Sequence, residues 1–177
     1  MDITILQMDE RTLEQVDKCG EPFTVDSRLA LRAKDGKIEH EIVPVAPYEK
    51  QYPPDTADYS AYINDENKAI FLAYAGDELA GQLRILKHWN AYAYVDDIAI
   101  KARFRGQGVG RVLIQHAIEW ARGRGFPGLM LETQDVNVAA CCLYESCGFE
   151  LGGFDRYLYK GLHPGTEEVA LYWYFIL

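Results

Sequence analysis

The order of the predicted elements indicates an α/β or α+β sandwich of helices and sheet for this chain of 177 residues. Three observations carry the prediction. Through much of the first half, apolar and polar residues alternate with the period of two that strands show. The second half alternates strand patterns with two helical patterns. Apolar residues make up 49% of the chain, which is enough for the core of a single domain over residues 1–177.

The first half of the chain is predicted to consist mainly of hairpins. Two turn sequences, Lys34-Asp35-Gly36 and Gly76-Asp77, separate runs of alternating residues, which is the pattern of β-hairpins. Four prolines predict a loop over residues 44–59. The predicted elements are, in order, strand 2–7, helix 9–18, strands 23–31 and 37–43, and strands 69–74 and 78–86.

The second half contains two helical patterns, each preceded by a strand pattern. In the first, apolar residues recur at helical spacing until Gly125-Phe126-Pro127-Gly128 ends the helix. In the second, Asn137 is placed as the N-cap and Gly148 follows the helix end. The predicted elements are strand 92–100, helix 108–122, strand 129–133, helix 137–146, and closing strands 149–159 and 169–175.

A glycine-rich loop connects the strand over residues 92–100 to the first of these helices. Gly106, Gly108 and Gly110 alternate there. Glycine lets the backbone turn tightly and approach a ligand closely. A helix start leaves N–H groups unpaired and carries a partial positive charge, so the loop is predicted to bind a pyrophosphate. The spacing is neither that of the Walker loop nor that of the dinucleotide fingerprint.

The charge distribution agrees with an anion site in an otherwise acidic protein. The net charge is −9, which makes nucleic acid an unlikely partner. Residues 98–118 contain no acid, although this stretch carries the bases Lys101, Arg103, Arg105 and Arg111. Acid predominates elsewhere, which favours a cationic second substrate.

Two motifs resemble those of the GNAT superfamily of N-acetyltransferases. Arg105 to Gly110 fits Arg-x-x-Gly-x-Gly, the acetyl-CoA loop of that superfamily. Downstream, Asn137-Val138-Ala139-Ala140 is followed by Tyr144 and Gly148-Phe149, as in its later motif. Further stretches resemble the streptothricin acetyltransferases, and they are Pro47 to Tyr52, Trp89-Asn90, Leu131 to Gln134, Leu151-Gly152-Gly153 and Ala170 to Tyr174.

The resemblance implies the acyl-CoA N-acyltransferase fold. This is a mixed, mostly antiparallel sheet that splays apart between its fourth and fifth strands, here residues 92–100 and 129–133, with acetyl-CoA in the cleft. It also implies a function. Streptothricin acetyltransferases transfer an acetyl group from acetyl-CoA to an amine in the β-lysine part of the antibiotic and so inactivate it.

The resemblance further implies which residues contact acetyl-CoA. Ile98 and Ile100 are expected to pair with the pantetheine amides, and the N–H of Ala99 or Ile100 to stabilise the oxyanion. Asn137 is expected to contact the pantetheine arm. Arg105 is expected to add charge beside the pyrophosphate, which the loop would hold through the backbone of Gly106, Gln107, Gly108, Val109, Gly110 and Arg111.

The candidate catalytic residues are Tyr144, Asp96 and Glu132. Tyr144 is expected to contact the co-substrate and protonate the leaving thiolate, since a phenol is protonated at neutral pH. Asp96 and Asp97 would point to opposite faces of one strand, so only one can face the substrate. Asp96 is favoured as the base or ammonium anchor because related enzymes carry an acid there, and Glu132 is second.

Several further expectations complete the prediction. Asp96 and Asp97 are expected to bind the cationic substrate. Trp89, Tyr92 and Tyr94 are expected to form an aromatic wall beside it. The four histidines lack metal spacing, so no metal is implied, and the four cysteines are expected to pack as small apolar residues. No signal peptide or apolar run of ~20 residues is present, which predicts a cytoplasmic protein without membrane contact.

The alternatives span three classes of protein. One is an N-acetyltransferase for another polycationic amine, and another is an acetyltransferase for a protein N-terminus. The third is a non-catalytic protein that binds acyl-CoA or the antibiotic. The oligomeric state stays open, with a homodimer as one option.

Overall fold

The computed structural model describes residues 2–177, which form two compact units. The first unit comprises residues 2–23, 51–129 and 177, and the second comprises residues 24–50 and 130–176. The strands are mostly antiparallel and are accompanied by two α-helices, as in the acyl-CoA N-acyltransferase fold. The prediction of a single domain stays a prediction, as does the splay between two strands.

The first unit is built on four antiparallel strands. Their order is β1 (Ile3–Gln7), β4 (Lys68–Ala75), β5 (Glu78–Lys87) and β6 (Ala93–Ile100). Helix α1 (Val109–Gly123) packs on one face of this sheet, and a Cβ at Gly81 would meet the Leu113 side chain at 3.3 Å. The other face carries a cluster of buried side chains, which are Met8, Val16, Cys19, Ile70, Leu72 and Leu79.

The second unit contains a long hairpin, a three-stranded segment and a short helix. The hairpin joins β2 (Phe23–Lys34) to β3 (Lys37–Lys50) in a two-stranded sheet. The strands β7 (Gly128–Gln134), β9 (Ala170–Ile176) and β8 (Glu150–Asp155) follow in that spatial order. Helix α2 (Val138–Ser146) begins after Asn137, whose side chain accepts a hydrogen bond from the Ala140 amide at 3.3 Å.

The two hairpins, the strand before the glycine loop and both α-helices are confirmed, with ends shifted by a few residues. The predicted helix over residues 9–18 is wrong. Only a 3-10 helix over Leu13–Gln15 forms there. The Asp9 side chain accepts hydrogen bonds from the amides of Arg11 and Thr12, and Asp17 adopts a left-handed φ of 62°. Local bonds of this kind compete with helix formation.

The predicted loop over residues 44–59 is wrong in its first half. Strand β3 continues through Pro44 and Pro47 as far as Lys50. A proline lacks the N–H needed by a central strand, but both strands of a two-stranded sheet are edges and tolerate it. Residues 51–58 are irregular and lead to a 3-10 helix over Tyr59–Tyr62.

The predicted strand over residues 149–159 ends early, at Asp155. The Asp155 side chain accepts hydrogen bonds from the amides of Tyr157 at 2.7 Å and Leu158 at 3.1 Å. These bonds close a turn, after which a 3-10 helix spans Leu158–Gly161. The turn moves Tyr159 out of the strand and into this short helix.

Candidate functional site

The glycine loop of the first unit has the geometry expected of an anion-binding helix start. Gly106 and Gly108 have φ values of 72° and 91°, a region that disfavours other residues. No side chain caps α1, and the helical hydrogen bonds begin with the Val112 amide donating to the Gly108 carbonyl at 3.1 Å. A Cβ at Gly106 or Gly108 would meet no atom within 4 Å, so the backbone there is accessible to a ligand.

Arg105 anchors the start of this loop. Its guanidinium donates to three backbone carbonyls, those of Ile100 at 3.0 Å, Pro22 at 2.8 Å and Glu21 at 2.8 Å. The Glu21 carboxylate in turn accepts from the Ala102 amide at 2.6 Å. These contacts give Arg105 a clear role in holding the loop, while its contribution to pyrophosphate binding stays a prediction.

A second side chain of the loop bonds back to the preceding turn. Gln107 Nε2 donates to the Arg103 carbonyl at 2.6 Å, and the Arg103 guanidinium pairs with Glu78. The side-chain amide of Gln107 therefore braces the loop. The expectation that backbone groups from Gly106 to Arg111 hold a pyrophosphate is compatible with this arrangement and stays a prediction.

A β-bulge at Asp96 interrupts the pairing of β5 with β6. Arg84 lies opposite Asp97, and the next residue, Ile85, lies opposite Val95. Asp96 is therefore an extra residue without a partner across the strands. Bulges of this kind bend a strand and redirect its side chains.

The bulge places both aspartates on the same face of the sheet. Arg84 Nε donates to Asp96 Oδ2 at 2.6 Å, and Gln82 Nε2 donates to Asp97 Oδ2 at 2.6 Å. Arg84 and Gln82 are two residues apart on β5, so their side chains share one face. The expectation that Asp96 and Asp97 point to opposite faces is therefore wrong, because it assumed a regular strand.

Asp55, Asp96 and Asp97 surround the side chain of Arg84, and we call these three carboxylates the acidic face. The Arg84 side chain is 11% exposed and also contacts Asp55, with Nη1 2.6 Å from Oδ2. Burial opposes its charge, but Asp96, Asp55 and Asp97 outweigh that effect and raise the pKa of Arg84. The Asp96 carboxylate is therefore held in an ion pair, which suits an electrostatic role better than proton abstraction.

Asp97 is the more enclosed of the two aspartates. Burial raises the pKa of its carboxyl group, against the lowering effects of Gln82 and Arg84. Gln82 is buried and accepts a hydrogen bond from the Asp17 amide at 2.7 Å, so its side chain is fixed at both ends. A buried amide thus orients the Asp97 carboxylate.

We expect Asp96→Asn to raise KM for a cationic substrate about two- to tenfold and to leave kcat within about threefold, since partly exposed ion pairs contribute modestly. Added salt should weaken substrate capture less in the variant than in the parent. Asp77→Asn removes the same charge from the exposed β4–β5 turn and should change neither constant. A large fall in kcat with a moved pH profile would instead assign proton abstraction to Asp96.

The aromatic residues predicted to line the substrate site are only partly brought together. Tyr94 precedes Asp96 by two residues on β6, and its ring lies 4.9 Å from that of His88. Trp89 is 88% exposed, and its ring lies 5.7 Å from the same histidine. An aromatic wall for the cation stays a prediction, with His88 as a member that the sequence did not single out.

The three residues predicted to contact the pantetheine and the oxyanion lie at the end of β6. Ile98, Ala99 and Ile100 are opposite Leu83, Gln82 and Gly81 of β5, and all three are half-buried. The stretch is therefore extended, as required for strand-like pairing with amides. Their contacts with a ligand stay predictions.

In the second unit, Tyr144 lies on α2 with 4% of its surface exposed. Its ring is 6.0 Å from that of Phe149 and 6.4 Å from that of Trp173. Gly148 has a φ of 91° and ends the helix close to Phe175, as the later motif requires. This packing holds Tyr144 in place and is compatible with a role in catalysis, which stays a prediction.

Glu132 is a half-buried carboxyl group on β7 in the same unit. Burial raises its pKa to about 7. The hydroxyl of Tyr159 donates a hydrogen bond to Glu132 Oε1. A base with a pKa near the working pH is well suited to proton transfer, so this group fits the role better than the ion-paired Asp96 does.

Among residues 2–177, no three or more His, Cys, Asp and Glu side chains form a group that could bind a metal ion. All four cysteines are free thiols, and three of them are buried, whereas Cys142 is exposed. The prediction that all four cysteines pack as small apolar residues is therefore wrong for Cys142, which lies on an exposed position of α2. No helix in the described part of the chain has the length and apolarity needed to cross a membrane.

The glycine loop, the helix that follows it and the later Asn–Tyr–Gly-Phe motif agree with one family. A model of the acetyltransferase (GNAT) family matches residues 37–149, and the chain belongs to this family. Its fold and its activity as an N-acetyltransferase follow from that membership.

Three relatives are similar over nearly the whole chain. Streptothricin acetyltransferase A of Bacillus subtilis strain 168 is 38% identical over 172 residues, which cover 97% of this chain and 98% of the relative. A candidate streptothricin acetyltransferase of Bacillus anthracis strain Ames, crystallised with acetyl coenzyme A, has a TM-score of 0.93 and 39% identity, covering 99% and 100% of the two chains. A nourseothricin acetyltransferase structure has a TM-score of 0.80 and 32% identity over 98% of each chain.

Proposed function

We propose that this enzyme transfers the acetyl group of acetyl-CoA directly to an amine in the β-lysine part of streptothricin and so inactivates the antibiotic. The observation that carries the proposal is the similarity to streptothricin and nourseothricin acetyltransferases from end to end. Fold alone would not support a substrate, because one fold hosts many functions. A cytoplasmic location suits this function, because acetyl-CoA is a cytoplasmic metabolite.

The glycine loop supports acetyl-CoA as the co-substrate. Two left-handed glycines leave its backbone uncovered beside an uncapped helix start, which suits a pyrophosphate. The amides from Gln107 to Arg111 would hold the pyrophosphate, and Ile98, Ile100 and Asn137 would hold the pantetheine arm. The co-substrate supplies the acetyl group as a thioester.

The acidic face of the first unit supports a cationic acceptor. Asp55, Asp96 and Asp97 lie around Arg84, and the protein carries a net charge of −9. Arg84 already stabilises the charged forms of these carboxylates. Little free energy is therefore needed to keep them ionised beside an ammonium group of the substrate. The acidic face would then attract and orient a substrate that carries several amines.

We assign one side chain to the deprotonation of the substrate ammonium group and another to the protonation of the leaving thiolate. The amine reacts only after its ammonium form loses a proton, which we assign to the Glu132 carboxylate. The C–N bond then forms as the C–S bond breaks, and Tyr144 gives its phenol proton to the departing sulfur. As the C–N bond forms, the nitrogen loses a second proton, which restores the phenol of Tyr144, and Glu132 releases its proton to solvent. One ammonium group and acetyl-CoA thus give the amide, free coenzyme A and one proton.

We expect Tyr144→Phe to lower kcat about 10- to 1000-fold, because it removes a proton donor and little volume. KM for acetyl-CoA and the melting temperature should stay close to those of the parent. Steady-state kinetics and thermal melts measure both. Normal turnover would mean that Tyr144 serves packing alone and that solvent protonates the thiolate.

A thiol-release assay tests the proposed function. The protein is mixed with acetyl-CoA alone, with streptothricin, with an aminoglycoside, or with a peptide bearing a free N-terminus. We expect rapid thiol release from acetyl-CoA when streptothricin is present and slow release with each of the other amines. Release with another amine would make that amine the substrate, and binding of acetyl-CoA without release on any amine would favour the non-catalytic alternative.

A further inference from the structure

Tyr159 is a buried phenol whose hydroxyl is directed at the carboxyl group of Glu132. Only 8% of its surface is exposed, and it donates a hydrogen bond to Glu132 Oε1. Neither family motif includes this position, and the sequence assigned it to the end of a strand. The hydrogen bond between Tyr159 and Glu132 could therefore not be predicted from the sequence.

The backbone around Tyr159 is fixed on both sides. The Asp155 side chain accepts from the amides of Tyr157 and Leu158, which closes the turn before it. The amides of Leu162 and His163 donate to the Tyr159 carbonyl at 3.0 and 2.8 Å. The phenol consequently approaches the carboxyl group from an ordered 3-10 helix.

A second phenol of the second unit, that of Tyr172, also lies within electrostatic reach of Glu132. Tyr172 on β9 feels the charge of Glu132 and of Asp155, and burial is the first cause of its raised pKa. No cationic side chain contributes to the pKa of Glu132 in the described part of this unit. Burial is the cause of its raised pKa, and the hydrogen bond from Tyr159 is the polar contact that the structure describes at this carboxyl group.

We propose that Tyr159 is a positioning residue for Glu132, and that its phenol holds one carboxylate oxygen so that the other is directed to the proton of the substrate ammonium. The inference rests on the proposed function, because it assigns Glu132 as the base. In the transfer, the N–H bond of the ammonium breaks and an O–H bond forms on Glu132. Tyr159 keeps its own proton throughout.

This role has a defined electrostatic consequence. A hydrogen bond donated to a carboxylate stabilises its charged form and lowers its pKa. Removing the phenol removes this stabilisation of the charged form, so the pKa of Glu132 should rise by about one to two units. At neutral pH a smaller fraction of the enzyme would then carry the ionised base.

The first test compares Tyr159→Phe with the parent enzyme across a pH series. The acidic limb of kcat/KM for the amine is expected to move up by about one to two pH units, and kcat at pH 7 to fall about 5- to 50-fold. KM for acetyl-CoA should change less than about twofold. Tyr157→Phe makes the same change on a neighbouring phenol that is 73% exposed and should leave the profile in place.

A pairing of variants separates positioning from packing. If Tyr159 acts through Glu132, Tyr159→Phe should have little further effect on kcat in the Glu132→Gln background, because coupled residues are not additive. A full additional loss in that background would show that Tyr159 acts through another group. An acidic limb of the kcat/KM profile that stays in place in Tyr159→Phe would also overturn the inference.

A readout without substrate distinguishes this inference from the proposed function. NMR of the protein labelled with ¹³C at the glutamate carboxyls follows Glu132 directly, with Glu132→Gln identifying its signal. The titration should move upward in Tyr159→Phe and stay in place in Tyr157→Phe. An unchanged titration overturns the inference whatever the substrate is, whereas a shifted one in an enzyme inactive on streptothricin overturns only the proposed function.

Discussion

Gly108→Asp is expected to weaken acetyl-CoA binding at least about 100-fold, the largest expected effect on affinity for the co-substrate. Gly108 has a φ of 91° and immediately precedes α1. A side chain there strains the backbone by about 1–3 kcal/mol and enters the space proposed for the pyrophosphate. The carboxylate adds repulsion between like charges at a helix start that would otherwise attract an anion. Calorimetric titration with acetyl-CoA measures the loss.

Gly125→Asp is the matched control for this experiment. Gly125 follows the other end of α1, has a φ of 71°, and would give a new Cβ nothing to meet within 4 Å. The two changes share the added bulk, the added charge and the strained backbone region. Only the variant at Gly108 should lose acetyl-CoA. Equal affinities in two folded variants would remove the glycine loop from the co-substrate site.

Glu132→Gln is expected to lower kcat at neutral pH by about 100- to 10,000-fold, the range of a lost general base. The pKa of Glu132 is about 7, so activity in the parent should rise as the pH increases through neutrality and the carboxylate forms. The activity of the variant should no longer rise with pH in this range, and its affinity for acetyl-CoA should be unchanged. Glu150→Gln, an exposed change on β8, is the control and should behave as the parent does.

The stability of Glu132→Gln shows whether lost activity reflects lost folding. Burial raises the pKa of Glu132 from an unfolded value near 4.5 to about 7. The folded state therefore binds this proton more tightly, and its stabilising effect is lost as the pH rises from about 4.5 to 7. Gln is neutral throughout, so the variant should gain stability relative to the parent at pH 8. Thermal melts at pH 5 and pH 8 measure the difference.

Local patterns in the sequence were sufficient to predict the glycine loop and the starts of both α-helices. Glycine alternation predicted the turn before α1, and Gly106 and Gly108 do adopt left-handed φ values. Asn137 does cap α2. These features depend on neighbours within a few residues, so the sequence carries their signal directly.

The side-chain environment of the candidate acids could not be predicted in this way. The bulge at Asp96 depends on how β6 pairs with β5, and the ion pair with Arg84 joins residues twelve positions apart. Tyr159 reaches Glu132 across 27 positions of the chain. Pairings over such separations arise from the fold, so the contacts that favour Glu132 over Asp96 as a proposed base could not be predicted from the sequence.

The most direct test of the central claim is product analysis after incubation of the protein with acetyl-CoA and streptothricin. Tandem mass spectrometry of the purified product locates any new acetyl group, and a growth assay on a sensitive bacterium reports the remaining antibiotic activity. We predict one acetyl group on a nitrogen of the β-lysine part and a product that no longer inhibits growth. Unmodified, fully active streptothricin recovered from folded protein with acetyl-CoA bound would contradict the claim.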